Sequence, residues 1–163
     1  MTTLHNLAKQ IGASLLAHEW QLGLAESCTG GLAAATITDL AGSSAWFDSS
    51  AVVYSNQAKQ DLLQVSKNTL HQYGAVSEQV AAEMAEGLLK QGRASIVASV
   101  TGIAGPGGGT AEKPVGTVCF AWSLPNELTL TELKHFDGDR SAIREQSVNH
   151  SLHHLIHLLN NNF

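Results

Sequence analysis

Leu22-Gly-Leu-Ala25 is a short apolar run, Glu26-Ser27-Cys28-Thr29-Gly30-Gly31 is polar and ends in two glycines, and Leu32-Ala-Ala-Ala-Thr-Ile37 has helical composition. Together they predict a strand, a tight turn and a helix that Gly42 can end. Upstream, Leu4, Leu7, Ala8, Ile11, Leu15 and Leu16 recur at helical spacing and predict an amphipathic helix to about His18. Downstream, Ala51-Val-Val-Tyr54 predicts a strand, and Ser55 and Asn56 are cap candidates for a helix carrying Lys59, Leu62 and Leu63. Ser77 begins a further helix with Val80, Ala81, Met84, Ala85 and Leu88 on one face, closed by Gly92. Ile96-Val-Ala-Ser-Val100 is an apolar strand that feeds a glycine-rich loop over 102–114. Two more strands, 115–122 and 128–136, meet at a turn around Pro125-Asn126. Asp139 caps a long last helix with Val148, Leu152, Leu155, Ile156 and Leu159 inward. Helices separate the early strands and the last two strands form a hairpin. The expectation is α/β: a mixed, mostly parallel sheet with helices on both faces. With no repeat, low-complexity tract or linker, residues 1–163 read as a single domain.

Composition excludes several classes. Charged residues make up 14% of 163, below the globular average of about 25%, which argues against disorder. A net charge of −5 argues against a general nucleic-acid binder. No apolar run approaches the roughly 18–20 residues that span a bilayer, so no membrane partner is expected. Cys28 and Cys119 make neither a disulfide framework nor a CxxC metal site. The start, Met1-Thr2-Thr3-Leu4-His5-Asn6, lacks the basic and apolar stretches of a signal peptide, and a cytoplasmic location is expected.

Four constellations bear on chemistry. At residues 27–31, free N–H groups and the helix dipole suit a phosphate or oxyanion. Ser27 has the type and place of a nucleophile, although Ala25 and Thr29 flank it where G-x-S-x-G needs glycine. The same residues also read as a plain polar helix cap. Second, six of the fifteen glycines (102, 105, 107, 108, 109 and 116) crowd into residues 102–116. Such clustering marks a sharp turn or the close approach of a ligand to backbone. The loop is neither a P-loop, since no Gly-Lys-Ser/Thr follows, nor a dinucleotide fingerprint, since Thr110 stands where the last glycine belongs. Third, Lys59 lies one turn into its helix, where a lysine is ordinarily a solvated charge. Buried beside Ser27, it would instead be a candidate general base. Fourth, His150, His153, His154 and His157 share a broad face of the last helix. With no HExxH and no carboxylate within the cluster, a weakly polar face or a subunit contact is the favoured reading over a metal site.

These segments together resemble the CinA C-terminal domain family, whose active members are nicotinamide-nucleotide amidohydrolases. The matching stretches are 25–31, Ala41-Gly-Ser-Ser-Ala-Trp-Phe47, Tyr54-Ser-Asn-Gln-Ala-Lys59, Gly74-Ala-Val-Ser-Glu78, 101–109, Glu112-Lys-Pro-Val-Gly-Thr117 and Gly138-Asp-Arg140. They run in the family's order and spacing from about residue 3 to 158. Each is weak alone; the set is specific.

The resemblance implies a three-layer α/β/α domain, in the stand-alone form, that hydrolyses the carboxamide of nicotinamide mononucleotide. It implies Ser27 as nucleophile and Lys59 as base, and N–H groups of Cys28, Thr29, Gly30 and Gly31 as oxyanion donors. Tyr54, Ser55 and Asn56 would line the nicotinamide-ribose pocket. Thr101, Gly102, Gly105, Gly107, Gly108 and Arg140 would hold the phosphate. For Lys59 to be neutral it must be desolvated or lie beside another cation, with Arg140 one such neighbour. No metal or organic cofactor is expected, and a homodimer is compatible with the acidic chain and histidine helix. Many members carry glycine where Ser50 stands, so a side chain there is expected to crowd the pocket if backbone approach is needed. A catalytically silent nucleotide-binding module and a metal-dependent hydrolase built on the histidine helix are the competing classes.

Overall fold

The computed structural model describes residues 3–161. In chain order the elements are α1 (Thr3–His18), β1 (Leu22–Glu26), α2 (Leu32–Thr38), β2 (Phe47–Val52), α3 (Asn56–Leu63), α4 (Lys67–Tyr73), α5 (Glu78–Leu89), β3 (Ile96–Gly102), β4 (Thr117–Ser123), β5 (Thr129–His135) and α6 (Arg140–Asn160). The five strands form one sheet in the order β2-β1-β3-β4-β5. β1 pairs in parallel with β2 and β3, while β4 runs antiparallel to both β3 and β5. Four strands therefore point one way and β4 is reversed, because a short turn can join only antiparallel neighbours.

Side-chain alternation divides the core between the two faces. Leu22, Leu24, Ala98, Val100, Phe120 and Trp122 pack beneath α1, α2 and α6. Ala25, Val97, Cys119 and Ala121 pack beneath α3, α4 and α5. The result is the expected α/β/α sandwich. Along β1, Glu26 continues the Leu22/Leu24 face and turns toward α2. Ser27 follows Ala25 onto the other face, toward α3. One step of a period-two pattern thus sends adjacent polar residues to opposite layers.

Two local expectations are corrected. The second strand runs Phe47–Val52 rather than 51–54. Just past its end the Val53 N–H still bonds Glu26 O at 2.8 Å, while the carbonyls of Val53 and Tyr54 accept from Lys59 Nζ at 3.0 and 3.1 Å. Its first half, Asp48-Ser-Ser50, lacks the apolar alternation that marks a strand. Helix α4 was not anticipated either; it buries only Leu70 and is capped by the Ser66 hydroxyl, which accepts from the N–H groups of Asn68 and Thr69. Among the described residues no helix is long and apolar enough to cross a membrane.

Candidate active site

The strand order changes hand between β1 and β3, and ligands of open α/β sheets bind where such a switch meets the carboxyl ends of the strands. Ser27 leaves β1 there, its N–H still held by Val100 O at 3.0 Å. Lys59 reaches the same point from α3, the helix capped by Ser55, whose hydroxyl accepts from Ala58 N–H at 3.0 Å. Lys59 Nζ donates to Ser27 Oγ at 3.2 Å. Its other two bonds go to the carbonyls of Val53 and Tyr54. Only 1% of Lys59 is exposed, so the reading of a solvated surface lysine is overturned. Burial lowers its pKa, with a small opposing effect from the Cys28 thiol. Arg140 lines the same cavity as Lys59, with its guanidinium bonded to Gly105 O and Tyr54 Oη.

Glu26, which sequence reasoning passed over, explains the turn. Its carboxylate is buried and accepts from Thr29 Oγ1 and from the N–H groups of Gly31, Ala33 and Ala34 at 2.7–3.1 Å. These bonds satisfy the open amides of α2 and set a negative charge at its positive end. The expected free N–H cluster at residues 28–31 is thereby corrected. Gly30 N–H bonds Ser27 O and Gly31 N–H bonds Glu26, while Cys28 and Thr29 N–H bond no other described residue. Arg144, also missed, fixes the turn from α6 by donating to the Cys28 and Thr29 carbonyls at 3.1 and 2.8 Å. The available signals were a lone carboxylate ending an apolar run, and an arginine one helical turn after Arg140.

A cavity of about 280 Å³ opens at Ser27 and Lys59, near the lower end of the range for small-molecule sites. Of the sequence-selected residues, Ser27, Cys28, Tyr54, Asn56, Lys59, Thr101, Gly102, Gly105, Gly107, Gly108 and Arg140 line it. Thr29, Gly30, Gly31 and Ser55 do not; they build or cap the flanking helices. Thr101 donates its hydroxyl to Ala75 O at 2.8 Å, so that hydrogen is already engaged. Arg140 donates to Gly105 O at 2.8 Å and to Tyr54 Oη at 3.1 Å, which ties the glycine loop to the end of the β2 segment. Gly105 is required by packing as well as by its positive φ, because a Cβ there would lie 2.5 Å from Val115. Gly107 differs: nothing lies within 4 Å of its would-be Cβ. Lys59 and Arg140 are the charged residues of the lining, and no carboxylate joins them. Ser50 does not line the cavity; its hydroxyl donates to Glu26 Oε1 at 3.0 Å. The expected crowding is absent because Ser50 shares the face of Glu26, not that of Ser27.

The histidines fall elsewhere. His150 Nε2 lies 2.8 Å and His154 Nδ1 3.8 Å from Glu132 Oε2 on β5. The expectation of no acidic group within reach is corrected: the carboxylate comes from another element, 18 residues upstream of His150. His153 and His157 are exposed.

Fold and pocket together define a three-layer α/β/α domain with a cation-lined cavity and a buried serine–lysine pair at its strand switch point. The chain belongs to the CinA C-terminal domain family, whose model matches residues 4–159. It is 57% identical to the nicotinamide-nucleotide amidohydrolase PncC of Enterobacter agglomerans, covering 91% of each chain. It is 50% identical to the protein of that name from Escherichia coli K12, over 91% of this chain and 90% of that one. The crystal structure of the competence/damage inducible protein CihA from Agrobacterium tumefaciens superposes with a TM-score of 0.94 at 44% identity, covering 99% of this chain and 98% of that one.

Proposed function

We propose that this chain is an amidohydrolase that converts nicotinamide mononucleotide to nicotinic acid mononucleotide and ammonia, with Ser27 as nucleophile and Lys59 as base. The observation that carries the chemistry is the 3.2 Å contact between Lys59 Nζ and Ser27 Oγ inside a cavity. The names of the 57% and 50% identical relatives support the substrate. So does a cationic lining on a chain of net charge −5, since a phosphorylated substrate needs a local positive field.

In neutral Lys59 two N–H bonds remain on the Val53 and Tyr54 carbonyls, and the lone pair faces Ser27 Oγ. The serine proton moves to Nζ as Oγ attacks the carboxamide carbon. The Cys28 N–H, next to the nucleophile, is the main-chain donor best placed by connectivity for the oxyanion. As the C–N bond breaks, the Lys59 ammonium returns a proton to the leaving ammonia. Water, deprotonated by the same amine, then attacks the Ser27 ester; as the C–Oγ bond breaks, Lys59 returns that proton to Ser27 Oγ and the carboxylate product is freed. Tyr54 and Asn56 flank the ring and ribose, and Arg140 with the backbone around Gly107 and Gly108 meets the phosphate. Two of the five N–H donors of Arg140 are engaged within the protein, which leaves others for that role. Buried, unpaired Cys28 and Cys119 support work in a reducing cytoplasm.

The test is ammonia release from nicotinamide mononucleotide by the purified chain. Expected is one nicotinic acid mononucleotide per ammonia, with both lost in Ser27→Ala. Absence of release from the unmodified chain overturns the proposal.

A further inference from the structure

We propose that Glu132, His150 and His154 form a binding site for a divalent transition metal of the zinc class, separate from the Ser27–Lys59 cavity. One carboxylate oxygen and one nitrogen of each ring lie within 4.8 Å of one another. Tetrahedral ligands about 2.0–2.1 Å from zinc stand about 3.4 Å apart. The two contacts of Glu132 Oε2, at 2.8 and 3.8 Å, straddle that spacing. Two histidines four residues apart lie on one helix face, and a two-histidine, one-carboxylate set is a recurrent zinc-binding combination.

The surroundings hold these groups in place. The His154 ring stacks on Trp122 with centroids 4.0 Å apart, and His150 meets Phe120 edge-on at 4.8 Å. Trp122 is anchored in turn by donating its indole N–H to Ser151 O at 3.2 Å. Lys134 Nζ holds the other oxygen of Glu132 at 3.0 Å, so Oε2 is the one left for an ion. That ammonium also opposes a cation, which argues for moderate rather than very tight binding. All three side chains are half-buried, and His150 also borders a surface cleft of about 560 Å³ together with Phe136 and Glu145. Three protein ligands leave a fourth position for water.

The cleft and the catalytic cavity share no lining residue. The site therefore predicts metal-linked stability rather than metal-linked turnover.

The experiment uses the full chain without a polyhistidine tag, stripped of metal and titrated with Zn²⁺ against a chromophoric chelator. Expected is one equivalent bound per chain and a rise in Tm with added Zn²⁺, as for any ligand that prefers the folded state. Glu132→Gln, His150→Ala and His154→Ala should each weaken binding about tenfold or more. The His153→Ala/His157→Ala pair should leave it unchanged. Because His150 and His154 also pack against aromatic rings, Co²⁺ added to the unmodified chain supplies a readout that needs no variant. Four-coordinate Co²⁺ should give strong visible d–d absorption that one equivalent of Zn²⁺ abolishes. No stoichiometric Zn²⁺ binding, a spectrum no stronger than that of aqueous Co²⁺, or equal loss in the His153/His157 pair overturns the proposal.

Discussion

Lys59 Nζ lies 3.2 Å from Ser27 Oγ although 32 residues separate them, and its two remaining hydrogen bonds go to backbone carbonyls rather than to a carboxylate. A carboxylate partner would lock the ammonium charge; carbonyls leave the amine free to lose it. Burial then favours the neutral form, which is the form a base needs.

Ser27→Ala should fold and lose turnover by several orders of magnitude. Retention of more than about a tenth of the rate, a loss under about 1.4 kcal/mol of transition-state stabilisation, excludes Ser27 as nucleophile. Cys28→Ser is the companion variant. Burial pushes the Cys28 thiol up to about 11, so little thiolate exists at pH 7 and this change should leave most of the activity. A dead Cys28→Ser beside an active Ser27→Ala would assign attack to sulfur.

Glu26→Ala strands the amides of Gly31, Ala33 and Ala34 and the hydroxyls of Thr29 and Ser50. Losing a buried multi-donor cap should cost about 2–4 kcal/mol, read as a lower denaturation midpoint at unchanged m. Ser50→Gly removes one of those bonds and should cost about 1 kcal/mol. Its kcat/KM should stay within about twofold, because Ser50 bonds Glu26 and does not line the cavity. A large kinetic effect at Ser50 would show that the pocket depends on that strand after all.

How much of this was legible in the sequence follows from the range of each interaction. β1, α2, β3 and their alternation were readable, since period and capping are local properties. Ser27 and Lys59 stand out by residue type and position and the motif resemblance assigns their roles, but their proximity needed the sheet to bring two layers together. Glu26 was invisible for the opposite reason. It reads as one polar residue closing an apolar run, and its five bonds exist only once α2 and β2 are in place. Glu132 was missed likewise: spacing along α6 showed the histidines, but strand pairing of β5 brings the carboxylate beside them.

Arg140→Ala should raise KM for nicotinamide mononucleotide about tenfold, the range of one charge-assisted contact, with a smaller change in kcat. Nicotinamide riboside, which lacks the phosphate, distinguishes the alternatives. If its kcat/KM is unchanged, Arg140 serves the phosphate. Should the riboside suffer equally, the role of Arg140 is its support of Gly105 and Tyr54.

Chelation should leave turnover unchanged, because the serine–lysine chemistry requires no Lewis acid. His153→Ala combined with His154→Ala should be nearly silent in kcat/KM. Loss of activity in EDTA, restored by zinc, would move the reaction away from Ser27 and Lys59.

The pH profile tests the base most directly. A lysine with its ordinary pKa near 10.4 is almost wholly protonated at pH 7 and cannot accept the serine proton. Burial lowers the pKa of Lys59, so the neutral and active fraction grows as pH rises through that lowered value. The expected kcat/KM therefore climbs with pH and levels off below the pH at which a free lysine would titrate. Lys59→Ala removes this limb together with the activity. Lys59→Arg should fail almost as badly, because a guanidinium keeps its charge and cannot surrender a proton. Its planar head also cannot reproduce the three-way geometry of Nζ toward Ser27 Oγ and the Val53 and Tyr54 carbonyls. Near-normal turnover in Lys59→Arg would instead make Lys59 a fixed positive charge for phosphate or oxyanion, and the pH limb should then persist in that variant under the control of another group.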